Sequence, residues 1–285
     1  MQKFSFLIFA VLTHLIVSSQ EDSVSYFGHR GCRGLYPENT IVGFQKAISL
    51  GVDGIEWDVV VNKDKQLVIS HDQFFEKEFC LMPDGSEISD EKATNIYQMT
   101  QAQIEQYDCG TKVHKRFLEQ QKIKEAKPLL QTVFDSIDFS KTTILFEIKS
   151  DKDLDGTFQP APAEYVSIIL NEVKDFKYKE NIVFMSFDAR MLEELHQKAP
   201  SFRLVYLTES PLRSTSNFIA AFSFKPYAIG IFYPMISKTN VKTLKKLGIK
   251  TFAWTVNDPK ISKKLVGKGV DGIITDYPNL VKRAK

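Results

Sequence analysis

Gly54-Ile55-Glu56-Trp57-Asp58-Val59 sits inside a β-prone run over residues 52–61, with two acids standing two residues apart. Successive side chains of a strand point to opposite faces. Glu56 and Asp58 therefore share one face, and Ile55, Trp57 and Val59 share the other. Phe146-Glu147-Ile148-Lys149 repeats the pattern in a run over residues 143–149. The apolar positions fit a layer packed against helices, which leaves the charged positions facing the axis of a barrel. Carboxylates aimed that way are costly to bury unless a cation neutralises them.

Working outward, the chain alternates between strand and helix patterns. The main strand patterns fall at residues 24–28, 52–61, 143–149, 181–186, 203–207, 228–232, 250–256 and 270–275, with a short extra one at 66–70. Pro37-Glu38-Asn39-Thr40 reads as a turn into a helix that carries Phe44, Ala47 and Ile48 and stops at Gly51. Helical patterns follow at 128–137, 163–174, 189–198, 218–222, 239–247, 259–267 and 278–285. Such alternation implies an α/β protein with a parallel sheet and right-handed crossovers. Eight units closing on themselves make a (β/α)8 TIM barrel. A doubly wound open sheet would gather its functional residues at one switch point, whereas these sit at several strand ends. Residues 72–127 change character: polar and loop-rich, with Pro83-Asp84-Gly85 as a turn and 100–106 as a short helix. They read as a small insertion, or lid, after the second strand, within one domain spanning 21–285.

A chain of 285 residues suits such a domain, and 43% hydrophobic with 25% charged residues is ordinary for a globular protein with a core. A net charge of +2 is too even for nucleic-acid binding, so an anionic ligand would need a local site. The N-terminus reads as a signal peptide over residues 1–20: Lys3, an apolar stretch from 4 to 17, then Ser18-Ser19-Gln20. The apolar stretch is shorter than the roughly 20 residues that span a bilayer, and His14 interrupts it. No cysteine stands near the cleavage point to carry a lipid. The expectation is export, periplasmic or secreted, without a stable membrane anchor. Of the three cysteines, Cys80 and Cys109 either pair in an oxidising compartment, leaving Cys32 free, or all three stay unpaired.

Glu56, Asp58 and Glu147 offer hard oxygen ligands for one divalent cation, Ca²⁺ or Mg²⁺. His29-Arg30-Gly31 follows the first strand and His71-Asp72 follows the short strand at 66–70. Histidines, arginine and acids thus gather at strand C-terminal ends, where barrel enzymes hold their sites, and the set suits metal-assisted phosphoryl transfer. His114 and His196 read as surface or helix residues. Phe74, Phe75 and Phe79 read either as a pocket wall for an alcohol or lipid, or as satellite packing under the insertion.

These motifs resemble the signature of the glycerophosphodiester phosphodiesterase family: His29-Arg30-Gly31, Pro37-Glu38-Asn39-Thr40, Gly54-Ile55-Glu56 with Asp58-Val59, His71-Asp72, and Phe146-Glu147-Ile148-Lys149. The resemblance continues through Met185-Ser186-Phe187-Asp188, Trp254-Thr255-Val256-Asn257 and Asp271-Gly272-Ile273-Ile274-Thr275-Asp276-Tyr277-Pro278. It runs from about Phe27 to about Leu280, weakest over the insertion. Cys32 stands where a small residue is usual.

The resemblance implies a TIM barrel with Glu56, Asp58 and Glu147 as metal ligands and His29 and His71 as general acid and base. It implies Arg30 and Lys149 as phosphate-binding residues and Trp254 as an aromatic lining the substrate cleft. The implied reaction is metal-dependent hydrolysis of a small glycerophosphodiester to sn-glycerol 3-phosphate and an alcohol. Phospholipase-D-like hydrolysis of lysophospholipid or sphingomyelin is the alternative within enzymes, and a non-catalytic binding barrel the alternative outside them.

Overall fold

The computed structural model describes residues 24–212 and 215–281, so the expected signal peptide lies outside the described residues. The strands are β1 (Ser25–Gly28), β2 (Gly54–Val61), β3 (Leu67–Ile69), β4 (Thr143–Ile148), β5 (Ile182–Ser186), β6 (Arg203–Thr208), β7 (Ala228–Phe232), β8 (Lys250–Trp254) and β9 (Gly272–Thr275). The helices are α1 (Ile41–Ser49), α2 (Gln101–Ile104), α3 (Leu130–Ser136), α4 (Pro162–Val173), α5 (Ala189–Lys198), α6 (Thr215–Ile219), α7 (Lys238–Lys246), α8 (Pro259–Val266) and α9 (Pro278–Val281).

β1 pairs in parallel with both β2 and β9, which closes the ring β1-β2-β4-β5-β6-β7-β8-β9. A helix separates most successive strands, giving the expected (β/α)8 barrel. β3 folds back antiparallel on the end of β2 and lies outside the ring. The second strand begins at Gly54, two residues later than its β-propensity predicts. Gly51, at φ 76°, ends α1, and Asp53 leads into the strand: its N–H donates to the Tyr26 carbonyl at 2.9 Å, its carbonyl accepts from Thr143 N–H at 3.1 Å, and its carboxylate accepts from Tyr26 N–H at 2.8 Å.

Side-chain alternation sorts the barrel into two apolar layers. Phe27, Leu145, Val183, Val205, Phe252 and Ile274 fill the axis below the acids. Ile55, Trp57, Val59, Phe146 and Ile148 belong to the layer between strands and helices, as their parity predicts. Trp57 is fully buried there, with the rings of Phe44, Phe139 and Phe146 at 5.4, 5.6 and 6.0 Å. Covering about 200 Å² of tryptophan at about 25 cal/mol per Å² is worth about 5 kcal/mol. This packing against the helix layer fixes the strand bearing Glu56 and Asp58.

Residues 72–127 build a satellite core in which Phe75 stacks on Tyr107 at 3.8 Å beside Phe79, Ile88 and Ile104. Phe75 and Phe79 are therefore packing residues. Cys80 and Cys109 form a disulfide that closes this segment, while Cys32 stays free, buried against the carbonyl of Gly43 at 3.3 Å. Gln120 ties the segment to the barrel mouth, donating to the carbonyls of Arg33 (2.7 Å) and Tyr36 (3.0 Å). His196 lies on α5 against Phe224. His114 corrects its surface-or-helix reading: it is buried in a loop, stacked on Phe79 at 5.2 Å. No described helix is long and apolar enough to cross a membrane.

Candidate active site

The site begins with the turn that follows β1. Arg30 adopts a left-handed conformation (φ 47°) and Gly31 another (φ 83°), so the chain doubles back over the end of β2. A Cβ at Gly28 would lie 2.0 Å from the Gly31 carbonyl oxygen, which only glycine tolerates. The turn delivers Arg30 N–H to Glu56 Oε2 at 2.8 Å and Gly31 N–H to the Glu56 carbonyl at 3.2 Å.

Pro37-Glu38-Asn39-Thr40 then locks that turn. Thr40 caps α1 by accepting from Gly43 N–H at 3.1 Å. Glu38 takes Arg30 Nη1 at 2.5 Å and Arg33 Nη1 at 3.3 Å. Asn39, itself left-handed (φ 56°), donates Nδ2 to Asp58 Oδ2 at 2.9 Å. The motif is thus a helix start whose polar residues hold the arginine and one acid.

Asp58 and Glu147 are direct partners in the β2–β4 register, and Glu56 lies one side-chain step below Asp58. Each of the three carboxylates offers an oxygen within 4.8 Å of the others. They are 1%, 0% and 7% exposed for Glu56, Asp58 and Glu147. Lys149 Nζ lies 2.6 Å from Glu147 Oε1 and 3.8 Å from Asp58 Oδ1. Glu56 Oε1 and Asp58 Oδ1 are buried and accept no hydrogen bond. A carboxylate oxygen in that position is stabilised by a cation or left costly. Counting Glu38 and Asp276 as well, five buried carboxylates gather here around three permanent cations among the described residues, Arg30, Arg33 and Lys149, with His29 and His71 beside them. The donor set and the two buried oxygens without a hydrogen bond both fit a hard divalent ion.

The charges set the protonation states. Burial raises the Glu56 carboxyl well above the usual range, and Asp58 and Glu147 add to it. Burial also disfavours the Asp58 anion, but Arg30, His71, Lys149 and the Asn39 hydrogen bond outweigh it and hold that carboxyl far below the usual range. Burial lowers His29 to about 4, with Arg33 assisting and Asp276 opposing. Burial disfavours the Lys149 ammonium, yet Glu147 and Asp58 raise its pKa.

His71 lines one cleft with His29, its Nδ1 3.1 Å from Asp72 Oδ1. Asp72 and Glu76 complete a second acidic group around it, but this one carries its own cation. Lys127 Nζ sits 2.9 Å from Glu76 Oε2 and 2.8 Å from Ser70 Oγ. The triad of Glu56, Asp58 and Glu147 is the better metal site, because all three of its members are buried carboxylates, whereas only Glu76 is buried in the second group.

A cleft of about 870 Å³ opens above these groups, and His29, Arg30, Glu56, His71, Glu147 and Lys149 line it. Asp58 lies beneath them, out of solvent. Trp254 forms one wall with Phe187 and Phe232, at ring distances of 5.4 and 5.6 Å. All eight residues singled out in the sequence therefore converge. Reading the sequence missed Glu38, Asn39, Arg33, Asn257 and Asp276, which hold the others, and Arg116, which reaches the cleft from the insertion. Glu38, Asn39, Asn257 and Asp276 all stand in motifs of the resemblance, yet the sequence assigned them no role in the site.

The glycerophosphoryl diester phosphodiesterase family profile matches residues 29–280. The chain is 30% identical to a glycerophosphodiester phosphodiesterase of Caldanaerobacter subterraneus subsp. tengcongensis, over 90% of this chain and 96% of that protein. It is similar to the crystal structure of a Thermotoga maritima glycerophosphodiester phosphodiesterase, with a TM-score of 0.68, 28% identity, and coverage of 92% of this chain and 99% of that one. An Oleispira antarctica phosphodiesterase, solved with the product sn-glycerol-3-phosphate, shares the fold at a TM-score of 0.74 and 22% identity, covering 91% of this chain and 96% of its own. Barrel, converging site and matched length agree, and the chain belongs to the glycerophosphoryl diester phosphodiesterase family.

Proposed function

We propose that this phosphodiesterase hydrolyses small glycerophosphodiesters to sn-glycerol 3-phosphate and an alcohol, using one divalent cation, Ca²⁺ or Mg²⁺, held by Glu56, Asp58 and Glu147. The observation that carries the reading is the buried carboxylate triad, two of whose oxygens accept no hydrogen bond, in one cleft with two histidines. When bound, the cation offsets charge on the non-bridging phosphate oxygens. Arg30 and Lys149 act on the same charge, and both are held by acids so that their positive ends stay in the cleft. His29 and His71 exchange protons with the attacking and departing oxygens. Trp254, with Phe187 and Phe232, supplies an apolar wall for the carbon skeleton of the substrate.

Residues 21–285 make one catalytic domain in this reading, with 72–127 an inserted lid, and Arg116 at the cleft supports that assignment. The N-terminal leader pattern and the Cys80–Cys109 disulfide support export to an oxidising compartment, periplasmic or extracellular.

The test is release of glycerol 3-phosphate from glycerophosphocholine and glycerophosphoethanolamine, with added Ca²⁺, Mg²⁺ or chelator. Cation-dependent release is the expected outcome. Release indifferent to chelator would remove the metal from the reading. Faster turnover of lysophosphatidylcholine would transfer the enzyme to the phospholipase-D-like class, and no turnover at all would favour a binding barrel.

A further inference from the structure

Asp276 follows β9, yet its carboxylate reaches the residue that follows β1. Its Oδ1 lies 2.6 Å from His29 Nδ1 and accepts from Arg33 Nε at 2.8 Å, and its Oδ2 accepts from Asn257 Nδ2 at 2.7 Å. The orientation of the Asn257 amide is set independently. Its Oδ1 accepts from the Asp276 backbone N–H at 2.9 Å and from Thr275 Oγ1 at 3.2 Å, so its Nδ2 must be the group that faces the carboxylate. Asp276 is 1% exposed, so its carboxylate depends on these donors.

An ionised carboxylate only accepts, so the His29 nitrogen beside it has to donate. The ring proton then sits on Nδ1, and the lone pair sits on Nε2. That second nitrogen lies 3.9 Å from Glu56 Oε2, on the side of the cleft. The His29 backbone adds to the fixation, its N–H donating to the Thr275 carbonyl at 2.8 Å. Backbone and ring of His29 are thus both held by the segment Thr275–Asp276.

We propose that Asp276, clamped by Arg33 and Asn257, is a positioning residue that keeps the His29 proton on Nδ1 and presents Nε2 to the substrate. The proposal rests on the phosphodiesterase reading for its kinetic consequence only. The position of the proton is a property of the resting protein and is measured without turnover.

Long-range ¹H–¹⁵N correlation on protein labelled at histidine nitrogen reads the tautomer directly. Wild type is expected to show a protonated Nδ1 and an unprotonated Nε2 for His29. Asp276→Ala is expected to lose that pattern and to lower kcat on glycerophosphocholine by about 10²–10⁴-fold, the range for a proton-transfer group with its proton misplaced. KM should stay within about threefold, because no substrate contact is removed. Asp276→Asn, which removes the charge and turns an amide NH2 against one of the three donors, should also disturb the Nδ1 pattern and lower kcat. It also replaces the alanine variant should that one fail to fold. An Nε2-protonated His29 in wild type overturns the proposal, as does a folded Asp276→Ala or Asp276→Asn enzyme with unchanged tautomer and kcat. Absence of turnover in wild type, with the Nδ1 tautomer present, would sink the function instead and leave the clamp standing.

Discussion

Glu56 and Asp58 stand two residues apart on one strand, equally buried, and their carboxyls are driven in opposite directions. Burial raises both, but Asp58 has Arg30, His71 and Lys149 about it, whereas Glu56 has two further acids and a weaker claim on Arg30. Glu56 therefore holds a proton to higher pH than an ordinary carboxyl, and a cation must displace it. Divalent binding should release up to one proton and tighten as pH rises. Calorimetry in two buffers of different ionisation enthalpy measures that release. Glu56→Gln should abolish it and weaken binding at least about tenfold, or about 1.4 kcal/mol. A binding heat independent of buffer would contradict the argument.

The two histidines are separable from the metal site. His29→Ala and His71→Ala should each lower kcat by about 10²–10⁴-fold while cation binding persists. His71, with 29% of its side chain exposed, should lose activity with almost no change in thermal stability. Turnover within tenfold of wild type in either variant removes that histidine from the chemistry.

The Cys80–Cys109 bridge closes a segment of 29 residues in sequence. By loop-closure entropy such a link is worth about 2–4 kcal/mol. The Cys80→Ser, Cys109→Ser double variant should therefore unfold at lower temperature, and wild type with dithiothreitol should match it. Identical melting with and without reductant would mean that the link is idle. Because Gln120 ties the same segment to the carbonyls of Arg33 and Tyr36, loosening it should also reach the cleft.

Much of this architecture was legible because strand parity is a local property. Glu56, Asp58, Glu147 and Lys149 fall on one face and Trp57 and Phe146 on the other whatever the rest of the chain does. The partners of those residues were not legible, because they depend on closure. Asp276 meets His29 across 247 positions of sequence, and Asn39 meets Asp58 through a left-handed turn that propensity does not specify. His114 shows the reverse failure. A lone histidine in a polar stretch reads as solvated, yet the disulfide-closed segment built enough core to bury it against Phe79 and Phe117.

The pair of Glu76 and Lys127 gives the chain a pH dependence outside the metal triad. Burial lifts the Glu76 carboxyl to about 7, against the pull of Lys127 at 2.9 Å and with Asp72 and Glu38 adding to the rise. Between its ordinary value of 4.5 and about 7, the folded chain holds a proton here that the unfolded chain has lost. Stability from this group is complete below the lower value and falls as pH rises through the upper one. Glu76→Gln keeps an acceptor for Lys127 but cannot ionise, so it lacks that loss. The variant should gain on wild type by roughly 1–3 kcal/mol between pH 5 and 8. Urea unfolding of both proteins at several pH values measures the difference. A gap that stays flat across that range would show that Glu76 ionises in the fold as it does in water.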